Sequence, residues 1–575
     1  MARRGERGGV SLLLVCLLIG AEGWTATRAG ARPARLRLAT RMSAASSSFD
    51  VDVAVVGGGP AGYAMAALMS ETHGHSVVIV DPDPEALWPN NYGEWKDEWE
   101  TLSRRLGMPS LVDDCVLREW PVTDCFFGGS YGTPWDDRTR LQRAYVQVNR
   151  QALKKQLRAK LLASGGAIVQ ASLRARLAAP NLFEGGLAHD ADGSSLQLSN
   201  GDSVRARVVV DATGFESKLV AREDHQLSGA WAAAAPGYQI AYGCSVEVQG
   251  GDLGPYDPNA MTLFDYRTDH FDGDAAWQGR AEKTPTFVYA MPQGNQRVFF
   301  EETSLVGRGE KRLSFGECKK RLERRLEHLG VKVVPGSIEE EEFCYIPMGG
   351  ALPDLKQRVV AFGGAGAMVH PSTGYQACRM LASSTDVAAA LSSELRAGSG
   401  PDAAAAAAYR AMWPPSLRLQ RDFQVYGGEF LMSQPVERLR GFFSAFFALE
   451  TVVWGGFLAG WPGLPGNEFH DSWDKRLRFA LSLFWLMPND VRFAMMSYAV
   501  TYSFEYGPGL LRSFATPLFG EGPELYMPAS AAGKIPNTYV DGDMAAKREA
   551  LEMIRNQPSK GTLPSPQVAE LELPS

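Results

Sequence analysis

The stretch "FDVDVAVVGGGPAGYAMAALMSETHGHSVVIVDPDP", beginning at Phe49, constrains the fold more than any other part of the 575-residue chain. "VDVAVV" is short, apolar and β-branched, as a buried strand requires. Gly57, Gly59 and Gly62 follow in G-x-G-x-x-G spacing, then an Ala- and Met-rich helical stretch, then a second apolar strand, "SVVIV", that leads into Asp81. This is a complete βαβ unit with an acid 24 residues after the first glycine. Gly57 permits the tight turn, Gly59 lets the backbone approach a diphosphate, and Gly62 lets helix and strand pack closely. The helix N-terminus faces the diphosphate, and Asp81 can accept from ribose hydroxyls. An α/β chain with a Rossmann-like dinucleotide-binding domain is expected.

Composition excludes several other classes. The leader 1–48 holds eight Arg and two Glu, so of the net charge of −7 it contributes +6, and the remainder carries about −13. No basic stripe of the kind nucleic-acid binding needs is present. Seven cysteines without a CxxC pair point to reduced, buried thiols rather than disulfides or zinc, and eight histidines form no HExxH cluster, so no metal is expected. The leader reads as targeting sequence. A basic start precedes the apolar Ser11–Gly20, with small residues at Ala21 and Gly23. From Trp24 to Ser48 there are five Arg and no acid, a transit-peptide composition. Together these resemble the bipartite leader of algae whose plastids lie inside a secretory-derived membrane, with a plain secretory signal as the alternative.

Two later segments bear on the dinucleotide. In "ARVVVDATGFESKLV" a strand over Val208–Val210 runs into Asp211 and Gly214. In "QRVVAFGGAGAMVHPSTGYQACRMLA" a strand over Val359–Phe362 meets a turn holding Gly364 and Gly366, with a helix expected from about Pro371. These resemble the second and third FAD-contacting segments of the glutathione-reductase and aromatic-hydroxylase superfamily, although Gly364 stands where that family usually has Asp. "VNRQAL" supplies Arg150 and Leu153, matching the superfamily's Arg-x-x-Leu near the cofactor. No second fingerprint for NADPH follows a strand.

Between these segments, residues 236–344 read as an inserted, β-rich domain. "QGNQ" (Gln293–Gln296) marks a hairpin through Gly294-Asn295 that pairs "TFVYAMP" with "RVFFEET". Glu301 and Glu302 then lie at the far end of a hairpin carrying Phe287, Tyr289, Phe299 and Phe300. Neighbours on a strand point to opposite faces, so one glutamate at most should face a given pocket unless a bulge intervenes. An apolar wall raises a carboxyl pKa and aromatic faces stabilise cations, so the hairpin could protonate a neutral hydrocarbon. The plainer reading is an aromatic sheet core capped by solvated glutamates.

The ordered series "VVGGGPAG", "LWPNNYGEW", "DATGF", "PGYQIAYG", "PTFVYAMP", "FFEETSLV", "YIPMGGALP", "MVHPSTGYQ" and "MWPP" runs over about residues 50–460. It resembles the plant-type lycopene cyclases, FAD-binding carotenoid enzymes. Glu94 and Gln147 depart from that pattern, standing for residues usually apolar and basic. Arg118–Trp135 and Ala230–Ala235 read as loop-lengthening inserts. The resemblance implies redox-neutral cyclisation of the linear ends of lycopene to β rings, with reduced FAD bound and NADPH serving only to keep it reduced. It implies that Glu301 is the catalytic acid. Alternation then sends Glu302, the other candidate, to the opposite face as a structural or supporting residue. It further implies a plastid location at a thylakoid or plastid membrane surface. Competing readings are an ε-cyclase, a paralogue rearranging carotenoid epoxides of the neoxanthin or capsanthin type, an FAD monooxygenase or carotenoid hydroxylase, and an inactive carotenoid carrier.

The expected domains are the leader 1–48, an FAD-binding domain over 49–235 and 345–410, the β-rich catalytic insert 236–344, a helical region 411–520 and a tail 521–575. In the helical region, Glu437–Gly463 and "RFALSLFWLMPNDVRFAMMSYAVTYSF" are aromatic and apolar, but Glu450 and the Pro488-Asn489-Asp490 break interrupt them. They suit either buried helices or docking on one leaflet. One helix is expected in the tail, over Asp543–Asn556.

Overall fold

The computed structural model describes residues 47–522 apart from 129, 132–137, 175–185, 218 and 223–235. The expectations for the leader, for Ala230–Ala235 and for the tail fall outside the described residues. In chain order the strands are β1 (Ser48–Val56), β2 (Val77–Asp81), β3 (Gly93–Trp95), β4 (Val116–Trp120), β5 (Thr123–Phe126), β6 (Thr139–Leu141), β7 (Tyr145–Val148), β8 (Ala167–Gln170), β9 (Leu187–His189), β10 (Ser194–Gln197), β11 (Ser203–Asp211), β12 (Gly237–Glu247), β13 (Met261–Asp265), β14 (Thr286–Gly294), β15 (Arg297–Ser304), β16 (Glu340–Met348) and β17 (Val360–Ala361).

The first sheet has the order β8-β2-β1-β11-β10-β9, with β17 also on β11. Its centre is parallel: β2 and β11 flank β1, and β8 and β17 extend it on either side. The helix Pro60–Ala67 crosses from β1 to β2 as the glycine pattern requires, and every residue of β2 is buried. Val, Ile and Ala from β1, β2 and β11 pack with the long helix Ala377–Ala397 into one apolar core. Burying such side chains contributes roughly 1.5–3 kcal/mol each. That helix begins at Ala377 rather than near Pro371. Residues 371–376 form a turn in which Gly374 takes φ +80°, a conformation that L side chains rarely adopt.

The second sheet, β16-β12-β15-β14-β13-β5-β6, is the β-rich insert with an addition. Strands β5 and β6 come from the N-terminal half, so the sheet is not confined to 236–344. β5 pairs parallel to β13, and β4 joins a third sheet, β3-β7-β4. The described part of Arg118–Trp135 is therefore largely strand, where an insert loop was expected. The hairpin β14–β15 is present, but its turn centres on Asn295-Gln296, both at positive φ (50° and 63°), and Gly294 is the last residue of β14. Two consecutive residues at positive φ match the right-handed twist of the strands they join.

Helices dominate from Ala377 onward. Phe442, Phe443, Phe446, Phe447 and Trp454, within Glu437–Gly463, are buried in a core shared with Phe287 and Phe299 of the second sheet. Those aromatic side chains are interior packing. Among the described residues no single helix is long and apolar enough to cross a membrane; Val436–Phe447 with Thr451–Ala459 passes only as a pair bent by 116°.

Candidate active site

Strand β15 places the two glutamates on opposite faces, as alternation requires, with no bulge between them. Glu302 is fully buried against the helix Phe315–His328. Arg325 of that helix donates to it twice, from Nε at 2.8 Å and Nη2 at 3.0 Å, and Thr286 Oγ1 donates at 2.5 Å. Asp265 and Arg267, paired at 2.7 Å, lie beside Arg325, so two buried anions balance two buried cations. Phe300 shares this face, in the cluster built on Leu322 and Cys318. It does not line the Glu301 side, contrary to its expected place beside Phe287, Tyr289 and Phe299.

Glu301 meets a different environment. It stands in a cross-strand row with Tyr289 on β14, Gly243 on β12 and, across Gly243, Glu342 on β16. Gly243 has no side chain to separate the acids. A Cβ there would lie 2.5 Å from Phe299 Cζ and 3.3 Å from Glu301 Cγ. Carboxylate oxygens of Glu301 and Glu342 and the Cys344 sulfur accordingly approach within 4.8 Å of one another. Thr303 Oγ1 donates to Glu301 at 2.7 Å, and no cation pairs with it among the described residues. Burial, and then the facing Glu342, push the Glu301 carboxyl up to about 8. Glu301 keeps some accessible surface, as do Tyr289, Phe264 and Tyr375 around it. The acid therefore borders an opening, and neither glutamate is a solvated cap.

The wall around this opening is aromatic. Phe264 meets Phe287 edge-on at 4.8 Å, Phe287 meets Tyr289 at 5.1 Å, and Phe443 stacks on Phe264 at 5.3 Å. Tyr375 reaches in from the turn before Ala377, its hydroxyl 3.3 Å from that of Tyr145.

The nucleotide-binding residues assemble as their spacing implies. A Cβ on Gly57 would sit 2.6 Å from Ala212 O, and one on Gly62 would sit 1.9 Å from Gly57 O, so both must be glycine. A Cβ on Gly59 would meet nothing within 4 Å, and the helix Pro60–Ala67 starts with no side chain capping its N-terminus. That leaves a cradle of backbone donors open to a diphosphate. Asp81 closes the unit by accepting from Gly58 N at 2.5 Å. Gly364 packs on the second segment: a Cβ would lie 3.0 Å from Phe215 N, which leaves little room for the Asp of the superfamily pattern. A Cβ on Gly366 would be as close to Ala361 O, at 3.0 Å. Asp211 is spent on its own turn, accepting from Thr213 and Ser217, while Gly214 takes φ +101°. Arg150 is buried and ion-paired with Glu340, and it donates to Pro89 O at 3.1 Å.

Residue spacing did not reveal Glu342. It ends the run Glu339–Glu342, which reads as a solvated charge cluster, and only the register across β12 selects it. Asn91, in the "LWPNNYGEW" motif, donates to Glu342 from its backbone at 3.0 Å and from Nδ2 at 2.8 Å. Gln147 in turn donates to Asn91 at 3.4 Å and accepts from Gln293 at 3.1 Å. Glu94 is also buried. Its Oε1 lies 3.4 Å from Cys378 N in the first turn of Ala377–Ala397, and burial followed by the neighbouring Glu98 pushes it up to about 8.

The comparisons with known proteins agree with one another. The family model described as "Lycopene cyclase protein" matches residues 52–468. The chain is 40% identical over 453 residues to the lycopene beta cyclase, chloroplastic/chromoplastic, of Capsicum annuum, covering 78% of this chain and 80% of that one. It is 36% identical over 419 residues to the neoxanthin synthase, chloroplastic, of Solanum lycopersicum, covering 72% and 75%. Among solved structures, a geranylgeranyl bacteriochlorophyll reductase-like protein of Thermoplasma acidophilum superposes with a TM-score of 0.51 at 16% identity, covering 70% and 93%, a likeness of fold alone.

Proposed function

This chain belongs to the lycopene cyclase family, and on that premise we propose that it closes the linear ends of lycopene to β rings by an acid-initiated, redox-neutral cyclisation. The observation that carries this is the setting of Glu301, a carboxyl bordering an aromatic opening, with no cation paired to it among the described residues and pushed up to about 8 by burial and the facing Glu342. An alkene is a very weak base, so the acid must be protonated and dry at the moment of transfer. Glu301 protonates C2 of the terminal C1=C2 bond, C6 of the C5=C6 bond attacks C1, and the resulting C5 cation loses the proton on C6, which restores C5=C6 in a β ring. Phe264, Phe287 and Tyr289 exclude water and offer ring faces to the cation. Glu302, locked to Arg325, is structural.

FAD is the proposed dinucleotide. Gly57, Gly59, Gly62 and Asp81 would hold its diphosphate and ribose, and Asp211, Gly214, Gly364 and Gly366 shape the backbone facing the rest; Arg150 supports the wall around it. When bound, reduced flavin would supply electrostatic stabilisation of positive charge, with NADPH as the reductant that maintains it.

We place the protein at a plastid membrane surface, because its substrate dissolves in lipid. The helices Trp473–Leu486, Asn489–Tyr506 and Gly509–Phe519 support this. They expose Trp485 (71%), Phe493 (70%), Phe504 (88%) and Leu518 (82%), a density of apolar surface that suits insertion into one leaflet. Extraction of membranes should release the protein with detergent and not with high salt; full release by salt alone would sink the docking. Expression in lycopene-accumulating cells should yield β-ringed products without oxygen uptake. An ε ring, or consumption of oxygen with stoichiometric NADPH, would replace this reading with a competing one.

A further inference from the structure

We propose that Glu342 is a positioning residue for the reaction: it forms with Glu301 a carboxyl pair that shares one proton, and its negative charge keeps that proton on Glu301. The proposal rests on reading Glu301 as the acid. Three geometric facts carry it. Gly243 lets the two carboxyls face each other within 4.8 Å across an intervening strand. Their donor sets are unequal: Glu342 accepts from Asn91 N, Asn91 Nδ2 and, at 2.8 Å, the Cys344 thiol, whereas Glu301 accepts from Thr303 alone among the described residues. Asn91 itself is held by the amide chain through Gln147 and Gln293, and Gln147, where the family resemblance leads one to expect a basic residue, adds no charge.

Hydrogen-bond donors favour the ionised form of the group they serve. The single negative charge of the pair therefore settles on Glu342, and the single proton settles on Glu301. The other titratable groups facing the pair are Tyr289 from β14, Cys344 from β16, Tyr92 from the Asn91 segment, Tyr145 and Tyr375 beyond Tyr289, and Arg150, which Glu340 already occupies. Burial holds Tyr92, Tyr145, Tyr289 and Cys344 in their neutral forms. Proton balance closes within the pair. Glu301 gives one proton to the alkene, the pair then carries two negative charges beside a carbocation, and the proton released after ring closure restores the starting state. Nothing is oxidised or reduced.

The test is the pH–rate profile of the FAD-loaded enzyme with lycopene in vesicles. Activity requires protonated Glu301, so it is lost as pH rises through the upper titration of the pair. Glu342→Gln removes the facing charge and should move this alkaline limb to lower pH by about one unit or more, the size of the coupling expected between such groups. Glu342→Asp keeps the charge and should restore most of the wild-type limb. Asn91→Ala strips the Nδ2 donor from Glu342 in the singly and the doubly ionised pair alike, so it should leave the limb near its wild-type position and lower the plateau rate, because part of the proton then rests on Glu342; it also serves should Glu342→Gln fail to fold. An unmoved limb in Glu342→Gln or, should that variant not fold, an unchanged plateau in Asn91→Ala would reduce Glu342 to a structural role and overturn the proposal. Glu301→Gln separates the two readings: its inactivity at every pH keeps Glu301 as the acid whatever Glu342 does, and its activity would sink the functional reading itself.

Discussion

The two faces of β15 set adjacent residues of one type in opposite chemical surroundings. On one face Glu302 sits in a closed network with Arg325, Asp265 and Arg267, with charge balanced and donors satisfied. On the other, Glu301 has one hydroxyl donor, an aromatic wall and a second carboxyl opposite. The same side chain is thus ion-paired in one setting and, in the function proposed above, the proton donor in the other. What separates them is the partner each face presents, a cationic helix or a row of glycine and glutamate.

Substitutions should break this contrast in a definite order. Glu301→Gln should lower cyclisation by about 10²–10⁴-fold, the scale of general acid catalysis, and leave flavin content near the wild type; retention of wild-type turnover would return the acid role to another group. Glu302→Gln should act on stability, because it strands Arg325 in the interior. Breaking a buried pair from one side costs about 3–5 kcal/mol, whereas replacing both partners with apolar residues is far milder. Denaturant unfolding of Glu302→Gln beside Glu302→Leu/Arg325→Met checks this, and equal losses would mean the network is not a pair-based structure. Gly243→Ala should cost about 1–3 kcal/mol by overpacking and should depress activity by displacing Phe299 and Glu301. An active, fully stable Gly243→Ala would show that the row is not close-packed.

The smallest effect per step, counted per pH unit and per group, is in the pH dependence of stability. Glu301 and Glu94 are both pushed up to about 8, so the folded state keeps protons that the unfolded chain, with ordinary carboxyls, gives up near pH 4.5. The folded state binds more protons between those limits, so stability falls as pH rises from about 5 to 8, by at most about 1.4 kcal/mol per pH unit for each group. Glu94→Gln and Glu301→Gln should each flatten the slope, read from melting temperatures across that range. A slope unchanged in both would show that neither acid is protonated in the folded state.

Much of this was legible in the chain. The spacing of Gly57, Gly59, Gly62 and Asp81 determined the βαβ unit, because only glycine tolerates the contacts at Gly57 and Gly62 and that demand shows in any sequence. The alternation of β15 determined that Glu301 and Glu302 part company, since the period of a strand is two whatever surrounds it. Tertiary structure decided the rest. The aromatic run of Glu437–Gly463 became core while Phe504 and Leu518 stayed exposed, because burial depends on what another part of the chain lays over a helix and not on its own apolarity. Strands β5 and β6 joined a sheet whose other members all begin at Gly237 or later, far along the chain. Glu342 was hidden in a run of four glutamates. Register across β12, which no local pattern encodes, set it opposite Glu301, and a glycine between them allowed the two acids to meet.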